Sequence, residues 1–596
     1  MKLSDYVAQF VFEQGIRHVF VISGGAIIHC IDSVAAHPGL RYICTQHEQG
    51  AGAAADAYAR VSQNLGVAMV TSGPGATNLL TSVCNAYFDS IPVIFISGQV
   101  ATFRIKPNER LRQKGFQETD VVSIFKPVTK YAKQVRDAKE IKYELQKAAY
   151  IAKAGRCGPV LLDIPDDLQR EDIDPDQLKS FIPPLSEALE PDQEKIQDLM
   201  ELIKSAERPV LILGAGVRGS KTIPEALKFA QYFQLPVLLT WGAADILPHD
   251  HHLNMGSMGV CGPRAGNFAV QNSDLVISLG SRLSQMITGG KQNLFAPGAK
   301  KVMVDIDREE FNKFTPNDLQ LDLMIEADLP DFFKSCALLY ASSAPGDAFA
   351  SWRAQIKQWD KQYPICLEPY YQRRERVDAY VMIKQLSKAL SPGDIILTDA
   401  GGNLSWTMQA FEIKEGQRLF SAWNHSPMGY SVPASIGAAL ASGREVVCIT
   451  GDGGLMMCLE ELGTIRRYDL PVKILIFNNQ GHGIQKQTMD TWLNSRYVAV
   501  DQKTGLYFPD FIEVGKVFGF KTFSIANHGQ IDTVLKEVMS TPGPVLCDIA
   551  IAQDQKILPM LKFGSGLENL DPKIEADELS GIMAISKAAS VNSLHS

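Results

Sequence analysis

The sequence predicts an α/β protein built as three doubly wound parallel-sheet domains, and three observations carry that expectation. Short runs rich in Val, Ile and Leu alternate with helix-length periodic segments, the pattern of parallel strands covered by helices on both faces. Two stretches break this rhythm and read as linkers: 166–193, with PDD, DPD and PP clusters, and 341–376, which is polar and begins with small residues. The third observation is a repeat. VAMVTSGPGATNLLTSVCNAYFDSIPVIFIS, starting at Val67, and VVCITGDGGLMMCLEELGTIRRYDLPVKILIF, starting at Val446, share one plan of strand, glycine turn, helix and Pro-Val strand. Thr71 and Pro92 are as far apart as Thr450 and Pro471. Any two βαβ units share some of this plan, but equal spacing points to two related domains that jointly enclose one ligand.

The breaks predict an N-terminal domain over 1–170, a middle domain over 194–340, a C-terminal domain over 377–560 and a tail over 561–596. A length of 596 residues agrees with several domains at roughly 150 residues each. With 45% hydrophobic and 21% charged residues the chain can bury large cores. Its 58 Lys and Arg against 66 Asp and Glu leave a net charge of −8 without a basic run, which argues against nucleic acid or an anionic membrane as partner. No apolar stretch approaches the roughly 20 residues of a membrane span. Asp5 and Glu13 interrupt the first apolar segment, which reads as an amphipathic helix and not as a cleaved targeting peptide. Ten scattered cysteines without a CxxC pair argue against a disulfide framework and a zinc site, so a cytoplasmic location is expected.

The sharpest chemical signal is Gly451-Asp452-Gly453, followed one βαβ unit later by Asn478-Asn479. A parallel pair of strands brings both elements to the carboxyl edge of one sheet, where ligands bind. Asp452 offers a carboxylate oxygen, Asn479 an amide oxygen and Gly481 a backbone carbonyl. Three protein oxygens leave an octahedral Mg²⁺ room for two diphosphate oxygens and a water. Gly451, Gly453 and Gly454 would let backbone N–H groups approach a phosphate.

In the middle domain, Gly214-Ala215-Gly216-Val217-Arg218-Gly219 after the strand Pro209 to Leu213 is a formal match to a dinucleotide fingerprint. The next strand, within LPVLLTWG at Leu235 to Gly242, lacks the acidic residue that would hold a ribose, so NAD binding is not expected.

With the GDG and NN elements in place, the chain resembles the thiamine diphosphate enzymes, and most closely the catalytic subunit of acetolactate synthase. The same resemblance extends to VFVISGGA (Val19 to Ala26), QHEQGAGAAADAYAR (Gln46 to Arg60), TSGPGATN (Thr71 to Asn78), GFQETD (Gly115 to Asp120) and GRCGPVLLDIP (Gly155 to Pro165). It implies that Glu48 hydrogen-bonds the aminopyrimidine of the cofactor, favours its imino tautomer and so promotes loss of the thiazolium C2 proton; the resulting ylid is an electron sink. From the residues alone, Thr45 and Glu48 also have the spacing of a helix capping box. The resemblance further implies that Met428 wedges the cofactor into a bent shape, that Ser426 and Met428 offer backbone groups to the pyrimidine, and that Gly24, Gly25, Pro74, Asn78, Gly483 and Ile484 line the cofactor. From its type alone, Met428 could equally be core packing. At least a homodimer is implied, a dimer or dimer of dimers, pairing Glu48 of one subunit with Asp452 of the other.

The resemblance leaves FAD open. GSRLSQMITG aligns with a family segment reading RFDDRVTG and keeps Arg282, Thr288 and Gly289, but Ser284 and Gln285 replace its acidic pair. The second arginine of that segment binds the carboxylate of the acceptor 2-keto acid in the family; here it is Met286. The tryptophan of the family's GMVxQWQ run is Thr488. The donor side is better kept: Phe116 and Gln117 match positions around the reacting carbons, and Arg136 stands where relatives often have lysine. The expectation is an enzyme that decarboxylates a 2-keto acid, with pyruvate the leading candidate, and transfers the acyl carbanion equivalent to a carbonyl acceptor such as an aldehyde or keto-sugar. A true acetolactate synthase and a simple 2-keto acid decarboxylase are the enzymatic alternatives, and a non-catalytic relative a third reading that intact Glu48, Asp452 and Asn479 oppose.

Overall fold

The three expected sheets are present in the computed structural model, which describes residues 1–583 apart from 109, 185–188, 316, 341–345 and 563. The first sheet contains β1 (His18–Val21), β2 (Arg41–Cys44), β3 (Gly66–Val70), β4 (Val93–Gln99), β5 (Tyr131–Gln134) and β6 (Val160–Pro165), in the order β2-β1-β3-β4-β6-β5. The middle sheet contains β7 (Pro209–Leu213), β8 (Val237–Leu239), β9 (Asn254–Ser257), β10 (Leu275–Leu279), β11 (Lys300–Asp305) and β12 (Leu323–Glu326), in the order β12-β11-β10-β7-β8-β9. The third contains β13 (Ile395–Thr398), β14 (Arg418–Phe420), β15 (Val446–Gly451), β16 (Val472–Asn478), β17 (Lys521–Ile525) and β18 (Val545–Ala550), in the order β14-β13-β15-β16-β18-β17. The central strands β3 and β4 of the first sheet and β15 and β16 of the third are almost wholly buried, which is why they read as continuous apolar runs and not as alternating ones.

The first and third sheets have the same strand order, member for member. The repeated segments occupy equivalent places: β3 pairs in parallel with β4, and β15 with β16. Two helices follow β3 (Pro74–Asn78 and Leu80–Asp89), and two follow β15 (Asp452–Met456 and Glu461–Arg467). The sequence repeat is thus a structural one.

The chain forms two compact units. One comprises Met1–Ser186, Asp394–Asn403 and Phe420–Gln553 and holds the first and third sheets; the other comprises Glu187–Gly393, Leu404–Leu419 and Asp554–Ser596 and holds the middle sheet. The helix Ala379–Ala389, read from the sequence as part of the C-terminal domain, falls in the second unit. Of the tail at 561–596, residues 584–596 lie outside the described residues.

The segment 341–376 is not the plain linker its polar composition suggested. Beyond residues 341–345, which lie outside the described residues, it contains the helix Ala350–Gln362, whose Trp352, Ile356 and Trp359 are buried. Trp352 and Trp359 pack edge to face, and the Trp352 indole donates to the Pro209 carbonyl. Three widely spaced apolar residues among polar ones hide this helix in a composition count. The 166–193 segment likewise opens with a short helix, Asp166–Gln169.

Within the first unit, the Glu48–Ser62 helix and the Ser431–Ser442 helix are packed backbone to backbone. A Cβ on Gly437 would stand 1.8 Å from the Ala54 carbonyl oxygen, so only glycine fits there. Beside this contact the Tyr430 hydroxyl donates to Asp56 (2.6 Å), and Arg60 pairs with Asp56 and Asp89, each at 2.7 Å. These buried charges are mutually satisfied, as their burial requires.

Candidate active site

Glu48 is the first residue of its helix, just beyond the carboxyl end of β2. The expected capping box is not formed. His47 is the N-cap and its ring nitrogen accepts from the Gln49 N–H at 3.1 Å, while Thr45 turns its hydroxyl to the His47 carbonyl. The imidazole does the capping at Gln49, and the Glu48 carboxylate is not used for it. That carboxylate accepts a hydrogen bond from the Asn78 side-chain amide at 2.9 Å.

The turns after β1 and β3 meet beside it. A Cβ on Gly24 would collide with Thr71 at 2.4 Å, whereas one on Gly25 would meet nothing within 4 Å. Gly25 therefore borders open space. Pro74 begins the short Pro74–Asn78 helix, and a Cβ on Gly75 would lie 3.5 Å from the Glu48 carboxylate. The structure thus brings Glu48, Pro74 and Asn78 together, and Gly24 joins them through Thr71, which also contacts Gly75.

The second cluster lies at the carboxyl edge of the third sheet. Asp452, 2% exposed, accepts from the Gly481 N–H at 3.1 Å, which ties the turn after β15 to the loop after β16. A Cβ on Gly483 would stand 2.6 Å from the Asn479 amide nitrogen. Asp452, Asn479, Gly481 and Gly483 are therefore assembled as expected, with Ile484 next on the Gly483–Trp492 helix. Gly453 packs under Met428 and His482, where a Cβ would be 2.8 Å from the imidazole and 3.0 Å from the thioether methyl. Gly454 packs on Asp399, and Gly451 ends β15.

Burial is the main reason the Asp452 carboxyl is pushed up to about 7. A divalent cation beside it would favour the carboxylate and offset that cost. One carboxylate, one amide and a nearby backbone carbonyl form an oxygen-rich donor set that suits Mg²⁺. Among the described residues no three His, Cys, Asp or Glu side chains are grouped to hold a metal, and none of the ten cysteines is in a disulfide. The residues present therefore fit Mg²⁺ with a diphosphate.

Two residues of this cluster escaped the sequence reading. His482 sits between Gly481 and Gly483, and burial lowers its imidazole pKa. Asp399 directly follows β13, is fully buried and accepts from the Gly429 N–H at 3.1 Å and the Thr450 hydroxyl at 3.1 Å. It anchors the segment that carries Ser426 and Met428. Ser426 has a left-handed backbone (φ +50°). An Asp at a strand end before Gly401-Gly402, like a His inside the NN loop, was a signal available in the sequence.

The substrate positions are less enclosed. Phe116 is 84% exposed, and Gln117 has φ +63° with its backbone against Gly73. Met286 lies on the short Gln285–Thr288 helix and is 45% exposed. Thr488 is exposed and donates its hydroxyl to the Ile484 carbonyl at 3.0 Å. Two other cations, Lys486 and Arg264, have partners of their own. Lys486 pairs with Asp501 at 3.0 Å, and Arg264, buried, donates to the Pro572 carbonyl. Arg136 is exposed. In the middle domain, Arg282 pairs with Glu310 and Thr288 donates to the Ser284 carbonyl. The glycines of the GAGVRG turn are explained by packing, since Cβ atoms on Gly214 and Gly216 would lie 2.2 and 2.8 Å from Gly280. Among the described residues no helix is long and apolar enough to cross a membrane.

Three family patterns match the chain: the thiamine pyrophosphate enzyme N-terminal TPP binding domain over residues 1–124, the central domain over 196–331 and the C-terminal TPP binding domain over 399–549. Among similar proteins, the acetolactate synthase isozyme 1 large subunit of Escherichia coli (strain K12) is 33% identical over 94% of this chain and 96% of its own length. The probable acetolactate synthase large subunit of Methanocaldococcus jannaschii is 32% identical over 99% of this chain and 100% of its own. Acetolactate synthase 1, chloroplastic, of Zea mays is 31% identical over 96% and 88%.

Proposed function

Because the chain belongs to the acetolactate synthase large-subunit family of thiamine diphosphate enzymes, we propose that it is a Mg²⁺-dependent carboligase that decarboxylates a 2-keto acid, with pyruvate as donor, and joins the two-carbon unit to an aldehyde or keto-sugar. The observation that carries the cofactor assignment is the Asp452–Gly481 hydrogen bond, which gathers the oxygens of two loops at one sheet edge. When bound, thiamine diphosphate supplies the electron sink that lets the donor carboxylate leave as carbon dioxide. Asp452, Asn479 and Gly481 would hold Mg²⁺ and with it the diphosphate, while the backbone of Gly453 and Gly454 borders the same place.

Glu48 holds and moves a proton through its carboxylate, which Asn78 orients. Met428, backed by Gly453 and by the loop that Asp399 fixes, would supply an apolar wedge for the bound cofactor. Phe116 and Gln117 face the donor. The family pattern assigns acceptor choice to the positions of Met286 and Thr488. A thioether cannot pair with a carboxylate, so an acceptor without one is favoured. The exposed Phe116, Met457 (61%) and Trp492 (68%) on the first unit supply apolar surface that suits a homodimer completing each site from two chains.

A second reading, a true acetolactate synthase, is favoured by the near full-length similarity to proteins of that name. Incubation with thiamine diphosphate, Mg²⁺ and pyruvate, with and without candidate aldehydes and keto-sugars, separates the two. The expected result is cofactor-dependent carbon dioxide release with an acceptor-dependent product. Efficient acetolactate formation from pyruvate alone would establish the second reading. Released acetaldehyde, unchanged by any acceptor, would identify a simple decarboxylase.

A further inference from the structure

Glu461 opens the Glu461–Arg467 helix, shortly after the Asp452–Met456 helix, and is 1% exposed. Its carboxylate does not serve its own sheet. One oxygen, Oε1, accepts the backbone N–H groups of both Gln46 and His47 at 3.0 Å, and the other, Oε2, accepts from the Thr464 hydroxyl at 2.7 Å. Gln46 and His47 are the two residues that lead into Glu48. The contact depends on the glycine two residues after Glu48: a Cβ on Gly50 would lie 2.2 Å from Glu461 Oε1. A side chain there would push the carboxylate off both amides.

We propose that Glu461 is a positioning residue for Glu48, fixing the backbone from which the catalytic carboxylate projects. Two amides accepted by a single oxygen pin consecutive peptide planes, and the His47 imidazole holds the amide of Gln49, just beyond Glu48. The peptide segment is thereby held from both sides, and Asn78 holds the Glu48 side chain that leaves it. A negative group beside the first turn of the Glu48–Ser62 helix also suits the helix dipole. Burial, the largest influence on Glu461, drives its carboxyl up to about 7, as expected for an acid enclosed by partners that are not cations. A group buried this expensively for packing alone would be replaced without consequence for chemistry, whereas a group that aims Glu48 would not.

The inference rests on the proposed role of Glu48, and its test keeps the two apart. The readout is hydrogen–deuterium exchange at C2 of thiamine diphosphate bound to the full-length protein with Mg²⁺, quenched in acid and followed by proton NMR, alongside cofactor affinity. Glu461→Ala is expected to slow exchange by about a hundredfold, the scale on which a catalytic group loses effect when displaced by about 1 Å, with cofactor affinity unchanged. Glu461→Gln, whose amide oxygen still accepts both N–H groups, is expected to restore exchange to near the wild-type rate. Gly50→Ala is expected to slow it while Glu461 is retained, which covers the case in which Glu461→Ala fails to fold. Wild-type exchange in the Ala variant or in Gly50→Ala would overturn the proposal, as would a Gln variant as slow as the Ala variant. Wild-type exchange in Glu48→Gln would instead remove the role of Glu48 itself.

Discussion

The Asn78 side-chain amide donates to Glu48 Oε2 at 2.9 Å, so one oxygen of the carboxylate is committed to orientation while the other remains for proton exchange. Glu48→Gln keeps the size of the side chain and the partnership with Asn78 but removes the ionisable proton site. It is expected to fold and bind cofactor like the wild type, with turnover reduced by about 10²- to 10⁴-fold, the usual worth of a positioned acid–base group. Steady-state kinetics with pyruvate, paired with a melting curve, checks this. Wild-type turnover would show that Glu48 is not the proton-handling group.

Asp452→Ala acts on a different step. It removes an anionic oxygen from the expected metal set and leaves the Gly481 N–H without its carboxylate acceptor. Wild-type protein at cofactor and Mg²⁺ concentrations of about 100 times Kd should gain about 2.7 kcal/mol of stability, seen as a raised melting temperature. The variant should lose most of that gain. An equal rise in both proteins would refute the metal assignment.

Gly437→Val is expected to be among the most damaging substitutions in the first unit. The added Cβ would sit 1.8 Å from the Ala54 carbonyl oxygen, which belongs to the backbone of the opposing helix and has no rotamer with which to yield. Separating the Glu48–Ser62 and Ser431–Ser442 helices would cost about 3 kcal/mol or more. Because the second of these helices follows directly on the segment that carries Ser426 and Met428, the soluble fraction of this variant should also bind cofactor weakly. A melting temperature within a degree or two of wild type would contradict the close packing.

Asp163 gives a pH-dependent prediction away from the active site. It is fully buried on β6 and accepts from Ser97, Gln99 and Gln134, yet burial outweighs those bonds and pushes its carboxyl up to about 6. The unfolded chain releases the proton near pH 3.9, so the folded state binds it more tightly. The resulting stabilisation is complete below about pH 4 and is lost as pH rises through about 6, a change of about 3 kcal/mol. Asp163→Asn should remove this slope. Urea midpoints of the two proteins between about pH 4 and 7 should therefore converge or cross as pH rises; parallel curves would show that Asp163 ionises normally.

Much of this architecture was legible because parallel strands buried on both faces announce themselves as apolar runs, as β15 and β16 do. The repeat was legible because equal spacing reflects equal strand order. Asp452, Asn479 and Gly481 were legible because a strand-turn-helix unit fixes where its turn residues go. The His47 cap was not, since a helix start marked by Thr45 and Glu48 looks like a capping box until the backbone shows which side chain reaches the first free amide. The Ala350–Gln362 helix was hidden for another reason: Trp352, Ile356 and Trp359 carry its packing while the residues between them are polar. Glu461 was hidden because its partners are backbone amides more than 400 positions away, a contact that leaves no local pattern in the chain.

Acceptor choice supplies the prediction most particular to this chain. Met286 has no charge to hold an acceptor carboxylate, and losing a charge-assisted pair there would cost about 1.5–3 kcal/mol, about one to two decades in rate. Of the two other cations, Lys486 is paired with Asp501, while Arg264 gives one nitrogen to the Pro572 carbonyl and keeps its buried Nη1 without a hydrogen-bond partner. Thr488 is smaller than the tryptophan of the family pattern and spends its hydroxyl on the Ile484 carbonyl, so a bulkier acceptor has room beside the Gly483–Trp492 helix. Acetolactate formation from pyruvate is therefore expected to be poor in the native protein and to rise at least about tenfold in the double variant Met286→Arg, Thr488→Trp, the equivalent of about 1.4 kcal/mol in transition-state binding. Initial rates of acetolactate formation, measured beside the rate with the preferred aldehyde or keto-sugar, check both halves. The double variant should lose activity with the larger acceptor as it gains activity with pyruvate. An efficient native acetolactate synthase, indifferent to both substitutions, would show that these two positions do not choose the acceptor.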